Sequence, residues 1–143
     1  MAKFVGKDYY LAINGTTLSN FASHIDIDDS ADEIDFTGFS SAGYKEIGQG
    51  LKDATINVSF FSNFGTTVGD QVNAIIQPIY QAGGTCLIEV RPTSSAVSST
   101  NPKATMTARV FSYNGIAGDV GDAATFDVAF RNAGTAGLVW GTT

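Results

Sequence analysis

Apolar and polar positions alternate over most of this chain, and the alternation has the two-residue period of β-strands. Residues 52–61 show it most clearly: Ala54, Ile56, Val58 and Phe60 interleave with Thr55, Asn57 and Ser59, giving one apolar face and one polar, uncharged face. Further strands are expected over residues 9–13, 23–28, 33–36, 85–91, 105–113 and 124–131, the last with Phe126, Val128 and Phe130 on one face. Asn14-Gly15 and Asn114-Gly115 are turn signals. The short segment Asp29-Ser30-Ala31-Asp32 predicts a hairpin between strands 23–28 and 33–36.

One stretch changes period. Between Asp70 and Ala82, the residues Val72, Ile75, Ile76, Ile79 and Tyr80 recur at helical spacing, and Gly83-Gly84 marks a stop. Val72, Ile75, Ile76 and Ile79 are expected to pack this helix on the sheet. Pro78 lacks an N–H and crowds the preceding turn, which predicts a kink or an early end. Residues 37–50 form a long Gly/Ser-rich segment studded with Phe39, Tyr44 and Ile47. Exposed apolar side chains in a long loop suit contact with another subunit better than contact with water. Residues 92–104 read as a Ser/Thr/Pro-rich connection. Residues 134–143 are a Gly-rich tail whose Leu138, Val139 and Trp140 imply docking on its own core or on a neighbour.

The length of 143 residues suits one domain, 1–143, with one core. Charged residues make up only 15%, against about 25% in ordinary soluble domains. Charge depletion accompanies surfaces buried against neighbours, although a β domain with a neutral polar surface has the same composition. The net charge of −6 argues against tight nucleic-acid binding, which needs clustered Lys and Arg. The single Cys86 lies in an apolar run and reads as a buried, inert thiol. The first eight residues carry no signal-peptide core, and no apolar run reaches the ~20 residues of a membrane span. Synthesis and assembly in a cytoplasm, without a membrane partner, are therefore expected.

Little in the chain suggests catalysis. Six of fourteen acidic residues (Asp26, Asp28, Asp29, Asp32, Glu33 and Asp35) fall within ten positions. Calcium coordination is one reading, but Ala31 and Thr37 stand where an EF-hand needs Gly and Glu. A solvated or pore-lining face is the other, with Asp26, Asp28 and Asp35 on polar faces. His24 is the only histidine, no G-x-S-x-G motif accompanies it, and one His with one Cys makes no zinc site. Arg109 and Arg131 are expected to pair with Glu89 or Asp127 across the sheet. No cofactor, metal or catalytic set is expected.

Taken in order, Tyr10-Leu11-Ala12-Ile13-Asn14-Gly15, Phe36-Thr37-Gly38-Phe39, the run from Tyr44 through Gly50-Leu51-Lys52-Asp53-Ala54, Glu89-Val90-Arg91-Pro92-Thr93-Ser94 and the run from Gly121 to Phe130 resemble the tail tube (major tail) proteins of long-tailed bacteriophages. The resemblance spans roughly residues 5–132. It implies a mainly β fold, a β-sandwich or barrel-like tail tube subunit with one flanking α-helix. It further implies stacked hexameric rings in helical assembly, forming a hollow tube in the virion. That tube surrounds a tape-measure protein, meets tail-terminator and initiator proteins, and passes double-stranded DNA without specific binding. Type VI secretion tubes and contractile-tail tubes share the architecture. On this reading Phe39, Tyr44, Lys45 and Ile47 belong to the inter-subunit loop, Asp26, Asp28 and Asp35 give the lumen a negative potential, and Leu138, Val139 and Trp140 make tail contacts. The alternatives are a capsid decoration or other virion β-module, and a carbohydrate-binding β-sandwich using Trp140 and Tyr113.

Overall fold

A computed structural model describes residues 3–40, 42–67 and 71–143. Eight strands and one helix follow the order β1 (Tyr10–Ile13), β2 (Thr16–Thr17), β3 (Ala22–Asp35), β4 (Ile47–Phe61), α1 (Val72–Ala82), β5 (Cys86–Arg91), β6 (Lys103–Val110), β7 (Thr125–Asn132) and β8 (Val139–Gly141). A short 3-10 turn, Ser19–Phe21, separates β2 from β3. All the strands join one antiparallel sheet of order β2-β1-β5-β6-β7-β4-β3, with β8 added beside β6. The fold is mainly β with a single helix, as the patterning predicts.

The sheet curls around one core. Leu11, Ile56, Phe60, Ile88, Met106 and Phe130 are all fully or almost fully buried in it, and each lies on the apolar face that alternation assigned to its strand. Phe60 stacks on Phe126 at 5.4 Å between ring centroids, and Tyr113 meets Phe126 edge-on at 5.7 Å. Val72 and Ile76 enter the same core from α1, and Ile75 and Ile79 pack at its margin. Tyr80, the last residue of the helical stripe, is exposed instead. Asp70 lies outside the described residues. The helix runs through Pro78 to Ala82, so it does not end early. In a helix of eleven residues packed along one face, tertiary burial outweighs one missing backbone hydrogen bond.

Two glycine positions need left-handed backbone. Gly15 has φ +82° after Asn14 at +51°, the expected tight turn between β1 and β2. Gly83 closes α1 at φ +68° with its N–H on the Tyr80 carbonyl. Replacing Gly83 by Val forces a β-branched side chain into this region and should cost about 1–3 kcal/mol in a denaturant titration.

Several sequence expectations give way. Asp29 to Asp32 form no turn: β3 is one strand of fourteen residues, and its hairpin partner is β4. Four polar residues resemble a turn, but a strand paired on one side and solvated on both faces tolerates them. Asn114-Gly115 is not a hairpin turn either. It lies within the 14-residue connection 111–124 between β6 and β7. The predicted arginine pairs also differ. Arg91 binds Glu89 at 3.1 Å and stacks over the Tyr10 ring at 4.0 Å, while Arg131 reaches Asp53 at 3.1 Å. Arg109 donates to the Gly83 carbonyl, and Asp127 accepts from the Ser59 hydroxyl at 2.6 Å. Register explains the change: Arg109 and Arg131 stand directly opposite each other, so like charge sends the two side chains to different partners.

Asn101 is a buried polar residue with no sequence signal. Its side chain accepts from the Thr93 N–H at 3.1 Å and donates to the Ser95 carbonyl at 2.8 Å, closing the loop before β6. Asn101→Leu should cost about 1–3 kcal/mol in thermal unfolding, because those backbone groups lose their partners.

Candidate assembly surface

The β3–β4 hairpin outgrows the core. Pairing runs from Ala22↔Phe60 to Asp35↔Ile47, yet Ala54 is the last buried residue on β4 before the tip. Every described residue from Asp28 to Asp53 is exposed except Gly48 and Gly50, which are half-buried. These residues form an arm, a two-stranded ribbon capped by residues 36–46. β7 begins pairing with β4 only at Thr55↔Arg131, so nothing flanks the ribbon on that side.

The glycines explain how the arm holds its shape. A Cβ at Gly48 would lie 2.8 Å from the Phe36 ring, and one at Gly50 2.8 Å from Ile34 Cδ1. Ile34 and Phe36 therefore lie across bare backbone, a cross-strand packing that only glycine admits. Near this point the register shifts, with Gly50 and Leu51 facing Asp32 alone. At the tip, the Thr37 N–H donates to Asp35 at 2.8 Å and the Glu46 N–H to the Thr37 hydroxyl at 2.9 Å. Hydrogen bonds from Thr37 hold the Asp35 carboxyl below the usual carboxylate range. The folded arm thus favours ionised Asp35, and that contribution is lost as pH falls through the depressed value. An NMR titration should place its midpoint below that of an unstructured aspartate.

Phe39, Tyr44 and Ile47 are exposed, Phe39 completely so at 114% and Tyr44 at 81%. Lys45 is exposed beside them. Ile34, Phe36 and Leu51, which the sequence reading left out, add exposed apolar surface to the same arm. The loop itself is shorter than expected, since Ile47 to Gly50 belong to β4.

The acids do not converge. Asp26 and Asp28 pair with Asn57 and Thr55 on the polar face, while Asp29, Glu33 and Asp35 point to the other side by alternation along β3. A strand that sends its carboxylates to both faces cannot gather them around one cation. Asp35 is thus separated from Asp26 and Asp28, with which it was grouped. His24 is exposed, opposite Ser59. Cys86 is buried, and desolvation pushes its thiol up to about 11. Thiol-specific reagents should leave it unmodified until the protein unfolds.

The C-terminal segment docks on its own sheet. β8 pairs with β6 through Lys103↔Gly141, Ala104↔Trp140 and Thr105↔Val139, and Leu138 packs against the core. Val139 and Trp140 remain about half exposed, and Trp140 walls a cavity of about 240 Å³ with Ile25, Ile27 and Val90. A second cavity, open and about 750 Å³, lies between the start of α1 and the 111–124 connection. Phe64, Tyr113 and Ile116 line it, beside the buried Asn73, which donates to the Tyr113 hydroxyl at 2.7 Å.

No protein-family profile and no curated protein sequence matches the chain. Solved structures do. A chain of the native gene transfer agent virion matches with TM-score 0.72 at 18% identity, covering 96% of this chain and 98% of the other. The SPP1 tail tube matches with TM-score 0.74 at 14% identity, covering 99% and 80%. The sheath–tube complex of an extracellular contractile injection system matches with TM-score 0.70 at 11% identity, covering 99% and 93%. The curled antiparallel sheet, its single helix and its projecting arm together make up, over nearly the whole chain, the fold found in these tail and tube assemblies.

Proposed function

We propose that this chain is a structural subunit that assembles into stacked hexameric rings, forming the hollow tail tube of a phage-type virion. The observation that carries the reading is the arm. It holds Ile34, Phe36, Phe39, Tyr44, Ile47 and Leu51 in solvent, on a ribbon that the core does not contact, within a fold shared with tube assemblies. Monomeric proteins seldom expose so much apolar surface on one projection. A gene transfer agent tail of the same fold has C6 symmetry, which supports six copies per ring. β3 ends the sheet with one edge unpaired, and a neighbouring subunit can cover it.

The role is architectural rather than catalytic. The polar face of β3, β4 and β7 carries Asp26, Asp28, Thr55, Asn57 and Asp127 and is suited to a lumen that neither grips nor strongly repels phosphate. On this reading the tube is assembled in the host cytoplasm, surrounds a tape-measure protein, meets terminator and initiator proteins at its ends, and later passes double-stranded DNA. Asp26→Lys with Asp28→Lys should give tubes that retain duplex DNA in pull-down at low salt, whereas wild-type tubes release it. A tube structure with both side chains facing outward would refute the lumenal assignment.

Negative-stain electron microscopy of concentrated protein tests the assembly itself. Tubes or six-fold rings are expected. A stable trimer, or monomers that persist even on preformed tail initiators, would overturn the proposal, the trimer in favour of a decoration protein.

A further inference from the structure

The arm tip and the open cavity lie at opposite ends of one strand. β4 runs from Ile47 to Phe61, about 48 Å at the usual rise of ~3.4 Å per residue. At the Phe61 end, the Ser62 N–H donates to the Ala124 carbonyl at 2.9 Å and the Ser62 hydroxyl to the Gly115 carbonyl at 3.2 Å. These bonds fix the 111–124 connection at this pole. Ile116 and Val120 are exposed there at 90% and 106%, and Phe64 at 61%. The molecule therefore presents apolar surface at both poles of its long axis.

The charges of the two poles are complementary. Residues 36–45 contain a single charged side chain, Lys45. Residues 111–124 contain two, Asp119 and Asp122, which border the cavity beside Ile116. The arm continues β4 away from the cavity, so its tip cannot reach the cavity of its own molecule. A second copy displaced along the β4 direction brings the two together. Such a contact is heterologous and leaves a free tip and a free cavity at the ends, so it propagates.

We infer that the cavity between α1 and the 111–124 connection receives the arm tip of a second copy. Phe39 and Tyr44 lie against Phe64 and Ile116, and Lys45 faces Asp119 and Asp122. The inference deepens the tube reading and rests on it, because it names the axial contact between rings.

The test uses full-length protein in two populations, Tyr44→Cys and Ile116→Cys, mixed at assembling concentration under mild oxidation. Cys86 stays in place because it is only 3% exposed. A disulfide between the two populations is expected, with loss of that product when Leu87→Cys replaces Ile116→Cys. Charge reversal gives a second readout on exposed residues. Lys45→Glu should raise the critical concentration for pelleting about tenfold, and adding Asp119→Lys with Asp122→Lys should restore it. Tubes that form without the cross-link and without rescue would overturn the inference and leave the tube reading standing. Cross-linked linear oligomers without rings would sustain the inference and overturn the ring reading. Neither tubes nor cross-link would overturn both.

Discussion

A subunit carrying Tyr44→Ala and Ile47→Ala is expected to melt at the wild-type temperature and to form no tubes. Both side chains are exposed on the arm, and neither belongs to the core. Their removal leaves no cavity, so stability should stay within about 0.5 kcal/mol. Assembly is another matter. Fully burying one large apolar side chain contributes about 1.5–3 kcal/mol, so losing two per contact should raise the critical concentration at least about a hundredfold. Sedimentation across a concentration series reads the shift, and circular dichroism confirms the fold. Wild-type tubes at wild-type concentration would remove the arm from the interface.

Phe60→Ala should have the opposite signature, unfolding the domain and abolishing assembly only as a consequence. Phe60 is fully buried, stacks on Phe126, and lies midway between the strands that close the core. Truncating a buried Phe costs about 3–5 kcal/mol through lost burial and a residual cavity. A domain of this size holds about 5–15 kcal/mol in all. The melting temperature should therefore fall by roughly 10 °C or more. Leu51→Ala, an equally apolar truncation on the arm, should leave it unchanged. The pair separates residues that hold the fold from residues that hold the assembly.

What the sequence made legible follows from burial. Ala54, Ile56, Val58 and Phe60 alternate because one face of β4 meets the core, and the same pressure marks β5, β6 and β7 and the helical stripe of α1. Where no core pressure acts, the pattern misleads. Asp29 to Asp32 lie on a ribbon solvated on both faces, so their composition follows solubility and resembles a turn. The alternation also gave no hint that Gly48 and Gly50 lie beneath Phe36 and Ile34, a contact set by register across the hairpin. Phe39, Tyr44 and Ile47 were readable as exposed because apolar residues in a Gly/Ser-rich run have no local partner. Their cavity was not, since Phe64, Tyr113 and Ile116 lie far apart along the chain and meet only when Ser62 ties the 111–124 connection to the end of β4. Arg109 and Arg131 follow the same rule: their register opposite one another was invisible until the strands were paired.

Because one strand forms both the core and the arm, the arm is also a mechanical element. Twelve registered pairs join β3 to β4 along their common length. A pull on the tip along the strand direction loads those hydrogen bonds in shear, all at once, instead of opening them one after another. The force then passes directly into Ile56, Val58 and Phe60 at the centre of the molecule, without crossing a hinge or a flexible linker. A filament linked through such arms would stretch little under tension. It would yield by separation between subunits before any single subunit unravels.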